Sequence, residues 1–293
     1  MPALFGKNLD EDAAFVSKLW SELNKKTVAN VGPAQNPSED HFKPWDCLKI
    51  CSLCDSNSFD IEEMEYRKGD LITDPYQLNS IQHLLLNEGS LITENMPIDQ
   101  SEWPVMVDIK HRRQDAISSF QEGRALLSTS PFLDELYSNL IEFVVPLDRD
   151  KPSGYDSSLA RGVIFRTFPE GRTGLLAGFQ LAHGLGHQVG MSLFSIDSIF
   201  DSDPEKEIFY EVRHDIRTAE HAFVSATALA FMTIFSRSIY GDRARPFISD
   251  DHVSGYAEHL PDALSAAVRS LRNGCVLTQF GEKTVNGMAS LIY

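Results

Sequence analysis

Apolar residues recur at helical spacing along most of the chain. Between residues 10 and 26, Ala14, Phe15, Leu19, Trp20 and Leu23 fall on one stripe. The acidic start Asp10, Glu11 and Asp12 suits the positive end of a helix dipole. A polar stretch with Pro33, Pro37 and Pro44 then predicts a long loop. Leu78, Ile81, Leu84 and Leu85 predict a helix over 75–87 that ends near Gly89, and Ile117, Phe120, Leu126 and Leu127 another over 108–128. Over 131–145 a helix is expected to open at Pro131 and give way to the apolar run that begins at Ile141. Two segments carry strand composition: 141–147, and the β-branched and aromatic run 162–168 bounded by Pro169 and Gly171.

Helical spacing returns over 173–196 and 218–240, on either side of an acidic connection, 197–217. A short amphipathic helix is expected over 261–272, with Pro261 at its start and Gly274 after its end. The pattern predicts a mostly α-helical α+β fold with a small β-sheet. Neither a repeat nor a clean linker divides it, so a single domain over 1–293 is expected.

Charge narrows the partners. With 26 Lys and Arg against 42 Asp and Glu, the net charge is −16. Such a chain is a poor match for phosphate backbones or anionic lipid surfaces, so neither nucleic acid nor a membrane is expected as a partner. The hydrophobic content of 42% is that of a globular core rather than a disordered chain. No uninterrupted apolar run reaches about 18 residues, and the N-terminus lacks the charged-then-apolar pattern of a signal peptide. Four cysteines are too few for a disulfide framework. These features predict a cytoplasmic location.

The chemistry concentrates at Leu181-Ala-His183-Gly-Leu-Gly-His187. Histidines at i and i+4 stand one turn apart on one helix face, so both imidazoles can reach one metal ion. The flanking stripe of Leu176, Phe179, Gly190, Met191 and Phe194 turns that face inward. Zinc peptidases carry H-E-x-x-H, whose Glu is the general base for the metal-bound water. Here Gly184 holds that position, and losing such a base costs roughly 10²–10⁴-fold in rate. A redox metal such as iron, activating dioxygen, suits the pattern better than hydrolysis.

A further ligand must come from another element. Glu211, His214, Asp215, Glu220 and His221 are the downstream candidates. Thr218 is the expected N-cap of the 218–240 helix, which places Glu220 and His221 in its first turn, about 100° apart. Both stripes run into apolar residues, so periodicity leaves the choice between them open.

Residues 162–235 resemble the HExxH-motif domain of 2-oxoglutarate-dependent peptide β-hydroxylases, which modify ribosomally made peptides. The matching pieces are the strand Val163-Ile-Phe, His183 with His187, the segment Val212-Arg-His-Asp-Ile-Arg-Thr, and His221-Ala-Phe. The chain departs from the family pattern at Gly184, at Val212 in place of a Trp, and at Ile216 and Thr218 in place of two prolines. The resemblance implies Fe(II) held by His183, His187 and His221 in a core of about 162–240, between two core helices. It implies 2-oxoglutarate as cosubstrate and O₂ as oxidant. The far carboxylate of 2-oxoglutarate would sit on Arg217 or Arg213, with Arg166 and Arg172 as alternatives outside that segment. The substrate implied is a peptide or carrier-bound amino acid, hydroxylated at Cβ. Two other classes stand beside this reading: a zinc hydrolase with its base supplied from elsewhere, and a catalytically inactive peptide-binding scaffold.

Cys47, Cys51 and Cys54 have the spacing of the cluster motif in radical S-adenosylmethionine enzymes. They follow a proline-rich loop rather than a first barrel strand, and they share one helical face, where cysteines act as small hydrophobes. Gly184 and Gly186 are read as room for close helix packing rather than as a nucleotide loop.

Overall fold

The computed structural model describes residues 67–75, 77–78, 81, 112–147, 154–156, 161–168, 174–194, 196–241 and 251–292. The expected helix over 10–26 and the three clustered cysteines lie outside these residues. Of the helix expected over 75–87, the described positions include Leu78 and Ile81, both helical and buried.

The architecture is mostly helical with a small mixed sheet, the α+β class that the pattern predicts. Strand β1 (Asp70–Leu71) precedes helix α1 (Arg112–Leu127) and helix α2 (Pro131–Leu140). Strands β2 (Phe143–Leu147), β3 (Gly154–Tyr155) and β4 (Val163–Thr167) then complete a sheet of order β1-β2-β4-β3. β1, β2 and β4 run parallel, and β3 is antiparallel at the edge. Every residue of β2 and β4 is buried, as parallel strands covered on both faces require. Pro146 is tolerated inside β2 because its missing N–H is on the side of β1, which has already ended.

α2 starts as its sequence dictates. The Ser130 side chain accepts from Leu133 N, and Pro131 occupies the first turn, where its missing N–H costs nothing.

Helix α3 (Gly174–Phe194) carries both histidines and packs against α1, β4 and helix α4 (Ala219–Tyr240). Thr218 caps α4 as expected, its hydroxyl accepting from His221 N at 3.2 Å. α4 is long and apolar enough to cross a membrane by composition alone, contrary to the expectation from uninterrupted runs, but most of its apolar stretch is buried as a core helix. The acidic connection contains a hairpin that its charge conceals, β5 (Glu207–Tyr210) paired with β6 (Asp215–Thr218). The C-terminal helices are α5 (Asp251–Gly274) and α6 (Gln279–Ser290). Pro261 lies inside α5 rather than at its start. The buried stripe Leu260, Leu264, Ala267, Val268 and Leu271 runs past it, and that packing carries the helix through the proline.

The glycines of the histidine motif are packing positions. A Cβ on Gly186 would stand 2.6 Å from the Ala228 Cα, so the crossing of α3 and α4 has no room for a methyl. Gly186→Ala is expected to destabilise the fold by about 1–3 kcal/mol. Urea unfolding would show this as a lower midpoint with an unchanged slope.

Candidate metal centre

β4 and α3 build the site together. Alternation along β4 sends Ile164 and Arg166 toward α3, where they meet Gly184 and His183. On α3 the two imidazoles stand one turn apart, with ring centroids 4.5 Å apart and Nε2 atoms 3.3 Å apart. Asp156, immediately after β3, joins them. One potential ligand atom from each of Asp156, His183 and His187 lies within 4.8 Å of the other two.

Burial sets the electrostatics. Desolvation holds the His183 imidazole well below its ordinary pKa and brings His187 down to about 3, so both are neutral at physiological pH. The His187 charge is the next influence on His183, followed by Arg166 and Arg213. For His187 the next influences are Arg166, His221 and Arg217. Each histidine is intermediate in accessible surface taken over the whole residue. Desolvation also raises the Asp156 carboxyl, to about 7, against the opposing pull of the Arg166 guanidinium.

Arg166 is the buried cation of the site, with a side chain 2% exposed. Its Nη2 pairs with Asp156 Oδ2 at 2.5 Å and lies 3.1 Å from His183 Nδ1. Its Nη1 donates to Phe165 O and its Nε to Gln180 O.

The donor set fits a divalent ion. Two imidazole nitrogens about 2.0–2.1 Å from one ion, at a tetrahedral angle, stand about 3.3–3.4 Å apart. The His183–His187 separation matches that chord. Asp156 Oδ1 is buried and makes no hydrogen bond of ordinary geometry, although the Gln188 amide, which donates to Val163 O, is near enough to pull the Asp156 carboxyl's pKa down. An orphaned carboxylate oxygen beside two neutral imidazoles is what a cation would satisfy. Two histidines and one carboxylate are also the ligand set of non-haem Fe(II) oxygenases.

The residues expected from the sequence divide into two groups. His183 and His187 come together. His221 is outside the group of three, although its charge is felt at His187. Glu220 is half-buried, and burial raises its carboxyl first, with the charge of Glu205 in the acidic connection next. Glu211 is paired with Arg269, Asp215 with Arg217, and His214 is exposed.

Arg217 has its fork filled, since Nε and Nη2 both donate to the Asp215 carboxylate at 3.0–3.1 Å. Its guanidinium also stacks over the Tyr210 ring, 5.1 Å from the centroid. Arg213 is exposed, yet its charge reaches His183. The centre of the group therefore lies between α3 and the sheet edge, whereas the sequence places it between two helices. No feature of the sequence marks Asp156 as a partner of the histidines. It sits in a polar stretch after a two-residue strand, with no periodic signal to mark it.

Gly184 completes the geometry. A Cβ there would stand 2.7 Å from Ile164 Cγ2 and 3.2 Å from Arg166 Nη2. The position of the peptidase Glu is pressed against β4, and no base can occupy it without displacing the Ile164 side chain. Compared with protein-family models and with curated proteins, the chain matches none.

Proposed function

We propose that the protein is an Fe(II)- and 2-oxoglutarate-dependent oxygenase that hydroxylates a peptide or carrier-bound amino acid at Cβ. The observation that carries this reading is the trio of His183, His187 and Asp156, two neutral imidazoles and a carboxylate with one unbonded oxygen at ligand spacing. The resemblance of residues 162–235 to the peptide β-hydroxylases supports the same chemistry. Iron bound there would supply the oxidative decarboxylation of 2-oxoglutarate by O₂, giving succinate and a hydroxylated product.

The chain's own residues hold and orient. His183 and His187 offer neutral nitrogens from a rigid helix, and Asp156 offers an anionic oxygen from the sheet edge. Arg166, Arg213 and Arg217 each direct positive charge at the histidines, an unusual concentration in a chain of net charge −16. That field favours an anionic dicarboxylate at the site. Arg213 is the more available clamp for its far carboxylate, because Asp215 already holds Arg217. If Arg213 clamps 2-oxoglutarate, Arg213→Ala is expected to raise the cosubstrate KM about 10–150-fold, the loss of a charge-assisted pair, and to leave iron affinity nearly unchanged.

One observation favours a second reading. Arg166 already partners Asp156 and His183, as in a metal-free polar network within a binding scaffold. Turnover separates the two readings. Purified protein with Fe(II), 2-oxoglutarate and O₂ is expected to release succinate, and with Zn(II) to cleave no peptide. Absence of succinate across candidate peptides and metals would leave the scaffold reading.

A further inference from the structure

We infer that Arg166 is a positioning residue that keeps the metal-free site in the wrong tautomer for ligation and competes with the incoming ion. This rests on the metal-centre reading above. A guanidinium has only donors. His183 Nδ1, 3.1 Å from Arg166 Nη2, must therefore accept, and a neutral imidazole so engaged carries its proton on Nε2. That proton points to His187 Nε2 at 3.3 Å, which leaves His187 protonated on Nδ1. Arginine and two histidines thus form one directed chain of donors.

Ligation needs the opposite state of His183. Its Nε2 must offer a lone pair, so the proton must be on Nδ1, where it would face a cationic donor. Metal uptake therefore requires Arg166 to withdraw from His183, while Asp156 Oδ2 can retain it.

The surroundings are shaped for this arginine. A Cβ on Gly154 would overlap its Cδ and Nη1, and a Cβ on Gly184 would crowd its Nη2. Two glycines thus vacate the space that its guanidinium fills.

The test reads metal affinity and tautomer rather than turnover. Arg166→Gln removes the charge and, ending two bonds short of Nη2, also the donor at His183 Nδ1. Co(II) affinity, measured by competition with a chromophoric chelator, is expected to rise at least tenfold over the unmodified protein. An unchanged or weaker affinity would overturn the inference, because a residue that only braces Asp156 for the ion gives that result. Should Arg166→Gln not fold, imidazole ¹⁵N spectra of the unmodified protein serve instead. His183 is expected to be protonated on Nε2 without metal and on Nδ1 after Co(II) addition. Nδ1 protonation already present without metal would overturn it. A protein that shows the tautomer switch but never consumes 2-oxoglutarate keeps this inference and loses the oxygenase reading. Turnover with His183 already protonated on Nδ1 does the reverse.

Discussion

His187→Ala is expected to lower Fe(II) or Co(II) affinity by more than about 100-fold, and His183→Ala by a similar factor. Loss of an outer-sphere partner alone costs roughly 10–100-fold, and a direct ligand is worth more. Both histidines lie on one face of a buried helix, so truncating either leaves the other Nε2 without its 3.3 Å neighbour and the ion one donor short. The same titration ranks the remaining ligand. Asp156→Asn preserves an acceptor for Arg166 and removes the anionic donor, and it is expected to weaken binding nearly as much as loss of a histidine. His221→Ala is expected to change affinity only slightly, since His221 is outside the group of three. The resemblance to the hydroxylases requires the reverse order, so one set of chelator competitions distinguishes geometry from family pattern.

Acid is expected to destabilise the metal-free protein below about pH 6.5, before its carboxylates as a class are protonated. His183 and His187 have depressed pKa values in the fold, whereas the unfolded chain binds their protons below about pH 6.5. Their contribution is present above that value and is lost as the pH falls. Asp156 acts in the opposite sense. Its folded carboxyl, raised to about 7 from 3.8, retains a proton that the unfolded chain has released, so its contribution is lost as the pH rises. Between about pH 4 and 6.5 the fold excludes two protons and retains one. The net slope is about 1.4 kcal/mol per pH unit, with stability rising with pH. Urea midpoints on chelator-treated protein at three pH values across this window measure it. His187→Ala removes one of the two excluded protons and is expected to flatten the slope. A stability that falls with rising pH across this window in the unmodified protein would mean that the histidines are not desolvated, because only the proton retained by Asp156 would then count.

The sequence exposed those parts of the fold and site that carry a period or a cap. The α3 stripe announced both histidines, because 3.6 residues per turn puts i and i+4 on one face. Thr218 announced the start of α4 by its chemistry alone. Two kinds of feature stayed hidden. Asp156 follows a two-residue strand, too short to show alternation, and its proximity to α3 is set by sheet pairing through β4. The β5–β6 hairpin does alternate, with Ile208 and Tyr210 inward and Glu207 and Phe209 outward, but the acidic residues around it read as a connection. Pro261 misled because local preference gives way to the buried stripe of α5. Arg166 lay in the strand as one basic residue among several alternatives, and only the fold shows it buried between the carboxylate and the imidazole.

The most direct test of the central claim is an anaerobic titration of the apoprotein with Fe(II), followed by 2-oxoglutarate, monitored by visible absorption. The account predicts one iron per chain and a charge-transfer band that appears only when 2-oxoglutarate chelates that iron, and that is lost in His183→Ala, His187→Ala and Asp156→Asn. A protein that binds no iron, or that binds iron without any spectral response to 2-oxoglutarate, would contradict it.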